Sequence, residues 1–312
     1  MGKWGLRGWL TPHRRWLLLA AASAVGYGLG LAVLVLLLGD QSGRIWDSTQ
    51  YWLAGRSVLD GASPYGAVAI GTTDKAFFYL PIFAQLWAPF ALLPEPVFTW
   101  LWRAFCFGCL VWLAGGWRNA GLWLLFPLTL VELENPNVTL PAAVATFVAL
   151  RGWPWLLPLA GLVKFGPFLI VPYVLLRRPA ARRTLAVACA VTSAACLLSF
   201  AVAPQQWFDF AGQLTTQSAV TTGGGVGLVA IMPTAGADFA LRIGLAAALV
   251  GAAISLRSDR LAFVAATIAV PAFWLTRLLP LLALPRLPGR KPPPASPAAA
   301  RPELQPAKAL EA

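Results

Sequence analysis

Apolar stretches long enough to cross a bilayer recur in this chain from residue 16 almost to residue 285. That recurrence constrains the fold more than any other feature. A hydrocarbon core about 30 Å thick takes about 20 apolar residues per helix, and within it each backbone polar group must be satisfied by the chain itself. The expected fold is therefore all-α, a polytopic transmembrane bundle. Composition agrees: 58% of the 312 residues are hydrophobic and 12% charged, far from the make-up of a water-soluble domain.

Charge then orients the bundle. The formal net charge is +12, but the basic residues gather at the N-terminus, after Leu176 and in the C-terminal tail. Membrane orientation accounts for that spread better than a nucleic-acid-binding module does, and no nucleic-acid partner is expected. Residues 1–15 read as a basic cytoplasmic N-terminus, and 16–38 as a retained first helix, too long for a signal-peptide core. The loop at 39–76 lacks a basic excess and is expected outside.

Residues 77–93 and 97–115 read as a helical hairpin around a cytoplasmic Pro94-Glu95-Pro96 turn. The short apolar pieces 121–131 and 138–150 read either as short spans or as a re-entrant hairpin, leaving Arg151 outside. Residues 152–176 then run inward to Arg177, Arg178, Arg182 and Arg183, the strongest cytoplasmic signal in the chain. Residues 184–202 return to a second external loop at about 203–227, followed by 235–256 inward, 261–274 outward and a short 277–285 inward. The count is about ten membrane helices within a transmembrane domain over 16–287. A disordered, Pro/Ala-rich cytoplasmic tail follows at 288–312.

The four cysteines all lie in apolar segments, where thiols act as small hydrophobic groups. Cys106 and Cys109 form a C-x-x-C without a βαβ context, and His13 is the only histidine, so no metal site is expected. The run Gly223-Gly224-Gly225 lacks the ending of a phosphate loop and reads as a linker.

Residues 46–61 of the first external loop read as a short interfacial helix stopped by Gly61. Asp47 and Tyr51, at i and i+4, share a face of it. Asp47 is either a reactive carboxylate or the helix N-cap, with Gln50 completing a capping box. Lys164, inside a long apolar segment, faces a cavity, pairs with Glu132 or Glu134, or snorkels. Arg103, nearer a helix end, reads as snorkelling. Tyr65 and Tyr79 fit interfacial anchoring as well as a site. Asn137-Val138-Thr139 matches a glycosylation sequon whose membrane depth argues against use.

Several of these segments together resemble a known family: Asp47-x-x-x-Tyr51, Gly61-Ala62-Ser63-Pro64-Tyr65, Phe78-Tyr79-Leu80-Pro81, Asn135-Pro136-Asn137, Val163-Lys164-Phe165-Gly166-Pro167, the Arg177-Arg178 stop and Gln217-Ser218. Over roughly residues 40–285 the chain resembles the polyprenyl-phosphate-mannose-dependent mannosyltransferases, glycosyltransferase family 87. The resemblance implies a GT-C fold and a sugar donor on a polyprenyl phosphate. An aspartate of the first external loop, here Asp47, would act as general base, and a lipid or glycan would accept the sugar without a metal or other cofactor. It further implies substrate contacts from Tyr51, Tyr65, Tyr79, Lys164, Gln217, Trp274 and Arg277, with the cationic pair suited to a leaving phosphate.

Two departures stand out. Relatives carry a Ser-Trp-Asp-His-His-like segment where this chain reads Phe273-Trp274-Leu275-Thr276-Arg277, and Thr216 replaces an expected Asn. The expected protein is a multi-pass plasma-membrane hexosyltransferase with both termini in the cytoplasm. A carrier or flippase for lipid-linked sugar, or an inactive scaffold of the same fold, are the alternatives.

Overall fold

A computed structural model describes residues 25, 47–65, 77, 79–220, 235–269 and 275–288; of Pro127, 214–220, 235–239 and 275–277 only the backbone is described. The described residues are helical or connecting, with no strand among them. The helices are α1 (Asp47–Leu59), α2 (Pro81–Trp87), α3 (Glu95–Ala114), α4 (Trp117–Trp123), α5 (Pro127–Glu134), α6 (Thr139–Leu150) and α7 (Leu156–Val163). They continue with α8 (Gly166–Leu169), α9 (Val171–Arg177), α10 (Arg182–Val202), α11 (Pro204–Val220), α12 (Ala235–Leu256) and α13 (Asp259–Ile268), and end in a 3₁₀ helix over Leu275–Arg286.

Two helices among the described residues are long and apolar enough to cross a membrane: Glu95–Ala114 and Pro179–Val202. Thr139–Leu150, Gly166–Arg177 and Ala240–Leu256 are shorter apolar helices. The expected first span, 16–38, lies outside the described residues apart from Val25, as does the tail beyond 288. Both long helices turn large apolar side chains outward: Trp100 is 65% exposed on α3, Leu197 69% on α10. Isolated exposed leucines are ordinary, but contiguous apolar faces mark contact with something other than water.

α3 sets the axis. Its 20 residues rise about 30 Å from Glu95, which accepts a 2.8 Å hydrogen bond from Thr49 of α1, to Leu113, whose carbonyl accepts one of 2.7 Å from Arg286. Gly115 ends it in the left-handed conformation, φ 84°, where a side chain would be strained. The α1 end and the Arg286 end are the two poles of the molecule.

Two expected spans differ from what forms. Residues 77–93 make the seven-residue α2 and a 3₁₀ turn over Phe90–Leu92, and the Pro94 turn lies against α1, where Trp52 Nε1 donates to the Leu93 carbonyl at 2.8 Å. That turn is at the same pole as α1, not the opposite one. The physical reason is aromatic: Tyr79, Phe83 and Trp87 are spent on packing with Tyr51, Phe77 packs on Tyr79 and Phe83, and Trp87 also on Trp102. Their apolarity serves an interior.

Residues 152–176 break at Lys164 into a hairpin. Lys164 has an extended backbone, φ −141° and ψ 124°, and Pro167 sits at the start of α8, a position that suits its missing N–H. α8 folds back on α7, so a Cβ on Gly161 would meet the Phe168 ring at 2.7 Å. The chain thus returns to the pole it left: Arg178 Nη1 lies 3.5 Å from the Ala149 carbonyl. Arg151 and Arg178, expected on opposite sides, share one end. The tip reaches Ala266 and Ala269, at the end of α13 away from Asp259; a Cβ on Gly166 would run into the Ala266 carbonyl.

Where a loop is expected beyond Ala203, the 17-residue α11 forms instead. It returns to the α1 pole, with Gln206 accepting from Gln85 at 3.2 Å and Phe210 packed 5.6 Å from Tyr65.

Candidate active site

The Asn135-Pro136-Asn137 segment organises the site. Proline removes the N–H that would continue α5 and biases Asn135 away from helical geometry; Asn135 ends α5 at φ −108°, ψ 72°. Asn137 then caps α6: its Oδ1 accepts from the Thr139 N–H at 3.1 Å and the Thr139 hydroxyl at 2.9 Å. With the amide oxygen so occupied, the Nδ2 donor is turned the other way. It is bonded to Asp47 Oδ2 and lies 3.4 Å from the Tyr79 hydroxyl.

Asp47 is held twice by this segment. Its backbone N–H donates to Asn135 Oδ1 at 2.8 Å, and its carboxylate takes the Asn137 amide. The side chain is half-buried and opens α1, where the helix dipole favours negative charge. Its neighbour Ser48 is fully buried, and its hydroxyl has no hydrogen-bond partner among the described residues.

Tyr51 lies one turn on and is fully buried, its ring stacked on Trp87 at 5.7 Å. Its hydroxyl accepts from the Val138 N–H at 3.3 Å and shares a 3.0 Å bond with Tyr79. Burial, then the neighbouring Tyr79 and Asp47, push its phenol well above the ordinary range, so it stays protonated. Tyr51 therefore positions Tyr79 and the start of α6 and offers no ring face to a ligand. Tyr65, half-buried, donates to the Tyr79 carbonyl at 2.5 Å; burial and then Asp209 raise its phenol too. One network thus joins Asp47, Tyr51, Tyr65 and Tyr79.

The other expected site residues are distributed differently. Lys164 is half-buried at the α7–α8 hairpin tip. Glu134, one of its expected partners, pairs with Arg103 at 3.5 Å, while Arg103 also reaches the Glu134 carbonyl at 3.2 Å; Arg103 is thus pinned rather than snorkelling. Gln217 belongs to α11 and Arg277 to the C-terminal 3₁₀ helix by backbone, and their side chains lie outside the described residues, as does all of Trp274.

Asn135 and Asn137 are the site residues that side-chain reasoning misses. The available signal was the Asn-Pro-Asn pattern itself, because a proline flanked by two carboxamides ends one helix and caps the next within three residues. Trp102 Nε1 fixes the segment through the Pro136 carbonyl at 3.0 Å, and Cys106 Sγ lies 3.6 Å from the Asn137 carbonyl. These anchors sit 7 and 11 residues into α3, so the network is recessed roughly 10–16 Å from the Glu95 end. Cys106 and Cys109 are buried free thiols. Among the described residues no group of three or more His, Cys, Asp or Glu side chains could hold a metal ion.

Chemically, the arrangement fixes a half-buried carboxylate through one oxygen, leaving the other oxygen's lone pairs available as a proton acceptor. No family model, curated protein or solved structure matches the chain. The family resemblance therefore rests on the quoted motifs and their order along the chain.

Proposed function

We propose that the chain is a multi-pass membrane glycosyltransferase of the GT-C type. It moves a hexose, mannose by the resemblance, from a polyprenyl phosphate to a lipid or glycan acceptor on the extracytoplasmic face. In the proposed bundle α3 and α10 cross the membrane, while 77–93 and the 152–176 hairpin, counted as crossings among the expected ten, do not. The observation that carries the reading is that Asp47, Tyr51, Tyr79 and Asn137, spread over 90 positions, meet in one hydrogen-bond network around the carboxylate. The outward apolar faces of α3 and α10 and the gathering of Arg151, Arg178 and Arg286 at the far pole support a membrane setting with that pole in the cytoplasm.

In the proposed reaction Asp47 takes the proton of the acceptor hydroxyl as its oxygen attacks the anomeric carbon. The new glycosidic C–O bond forms while the C–O bond to phosphate breaks, and its electron pair leaves on the polyprenyl phosphate with inversion. Asn135 and Asn137 hold the carboxylate in place. Lys164, Gln217, Trp274 and Arg277 are the proposed substrate contacts, the two cations serving the leaving phosphate.

The test is reconstitution into vesicles with a radiolabelled polyprenyl-phosphate mannose and a lipid acceptor. Wild type should form product, and Asp47→Asn should lose about 10²–10⁴ of the rate. Equal transfer by both removes Asp47 as the base. Sugar crossing the vesicle without bond formation makes the protein a carrier, and neither activity makes it a scaffold.

A further inference from the structure

At the pole opposite Asp47 the structure builds a second polar site that the proposed transfer does not use. A cavity of about 560 Å³ is lined by Arg151, Arg178, Arg260 and Arg286 together with Asp259 and the Leu150, Pro285, Leu287 and Pro288 rim. Four guanidiniums against one carboxylate leave three positive charges in excess. Asp259 is already paired: its Oδ1 accepts from Arg178 at 2.6 Å and from the Tyr173 hydroxyl at 2.6 Å.

Three of the arginines have structural duties. Arg286 donates to the Leu113 and Trp112 carbonyls, closing the C-terminus of α3. Arg178 reaches the Ala149 carbonyl at the end of α6, and Arg260 Nε donates to the Leu287 carbonyl at 2.9 Å. Such capping suits the negative ends of helices. Arg151 caps nothing: among the described residues its guanidinium donates no hydrogen bond, and it lies 6.0 Å from the Phe147 ring centroid. Arg286 stands against the same ring at 5.3 Å. Two like charges on one ring, beside an open cavity, are an arrangement that an anion between them would stabilise.

We propose that this cavity binds a phosphate group, with Arg151 and Arg286 as its principal ligands and Arg178 and Arg260 completing the positive wall. Planar guanidiniums match phosphate oxygens with paired donors. The cavity's half-apolar rim suits the phosphodiester headgroup of an anionic phospholipid, for which basic pockets at the cytoplasmic ends of membrane helices are a general recognition mode. Free inorganic phosphate offers the same chemistry. The lipid source rests on the membrane reading above, whereas the anion site does not depend on sugar transfer.

The experiment is native mass spectrometry and thermal unfolding of the full-length protein in nanodiscs of phosphatidylglycerol or of phosphatidylcholine, and in detergent with millimolar inorganic phosphate. Variants are Arg151→Ala, which removes an exposed side chain with no hydrogen-bond duty, and Arg182→Ala, which removes a nearby charge outside the cavity. Wild type should retain one phosphatidylglycerol in preference to phosphatidylcholine. Arg151→Ala should weaken that retention about tenfold, and Arg182→Ala should leave it unchanged. Stabilisation and lipid displacement by inorganic phosphate, lost in Arg151→Ala, would assign the site to the soluble anion. Equal retention of both lipids without phosphate stabilisation, or equal loss in both variants, overturns the proposal. Sugar transfer measured on Arg151→Ala should match wild type, so a failure here is separable from a failure of the transferase reading.

Discussion

The two poles of the molecule handle buried polarity in opposite ways. Around Asp47 the charge is one carboxylate, steadied by carboxamides and phenols drawn from α1, the Tyr79 segment and the α5–α6 junction. Around Asp259 the charge is mostly guanidinium, anchored on helix-end carbonyls and on one strong ion pair. Asp47 is held by a neutral carboxamide and is half-buried, whereas Asp259 is nearly fully buried and paired through Oδ1 with the Arg178 cation and the Tyr173 hydroxyl at 2.6 Å each. Asp47 and Asp259 both open a helix; their partners, not their local sequence, separate the role proposed for Asp47 from that of an ion-paired Asp259.

That contrast can be broken by mutation, and the largest effect should come from the structural pole. Asp259→Ala leaves Arg178 charged beside a 4%-exposed vacancy; removing one partner of such a pair costs about 3–5 kcal/mol, so thermal unfolding in detergent should show a marked loss of midpoint. An unchanged midpoint would mean that the pair is ornamental.

Asn137→Ala comes next. It removes the donor to Asp47 and the cap of α6 together, which should cost about 1–3 kcal/mol and should depress kcat more than KM in the transfer assay. A pure stability loss with kcat intact would make Asn137 only a cap.

Tyr51→Phe is the smallest change, deleting the hydroxyl that joins Tyr79 to the Val138 N–H while keeping the stacked ring. About 1 kcal/mol of destabilisation is expected, again by unfolding midpoint. A loss as large as that of Asn137→Ala would shift the centre of the network from the carboxamide to the phenol.

Much of the local structure was legible in the sequence. The stop at Gly61 is there, with φ 69°, and α1, α6, α10 and α12 fall where capping and apolar length put them. Hydropathy failed where apolar residues face protein instead of lipid: residues 77–93 have the length of a span but are spent on rings around Tyr51. It failed again at Lys164, where a single apolar run hides a reversal set by one extended residue and Pro167. Those two errors displaced the Pro94 turn and Arg151 to the wrong ends. With both corrected, Arg151 joins Arg177, Arg178, Arg182 and Arg183 at one pole, a cleaner charge asymmetry than hydropathy alone implied. Of the site, Asp47 and the tyrosines were visible as a motif; Asn-Pro-Asn marks the helix break locally, but its contact with Asp47, 88 to 90 residues away, is not written in that pattern.

The opposition of the two poles is tested most directly by labelling with a membrane-impermeant maleimide in intact cells. In a background with the four native cysteines replaced by serine, Asp60→Cys would mark the exposed end of α1 and Arg151→Cys the arginine pole. Asp60→Cys should label from outside, and Arg151→Cys only after the membrane is permeabilised. Labelling of both from the same side would contradict the opposition of the poles, and Arg151→Cys alone from outside would contradict a transferase whose base faces away from the cytoplasm.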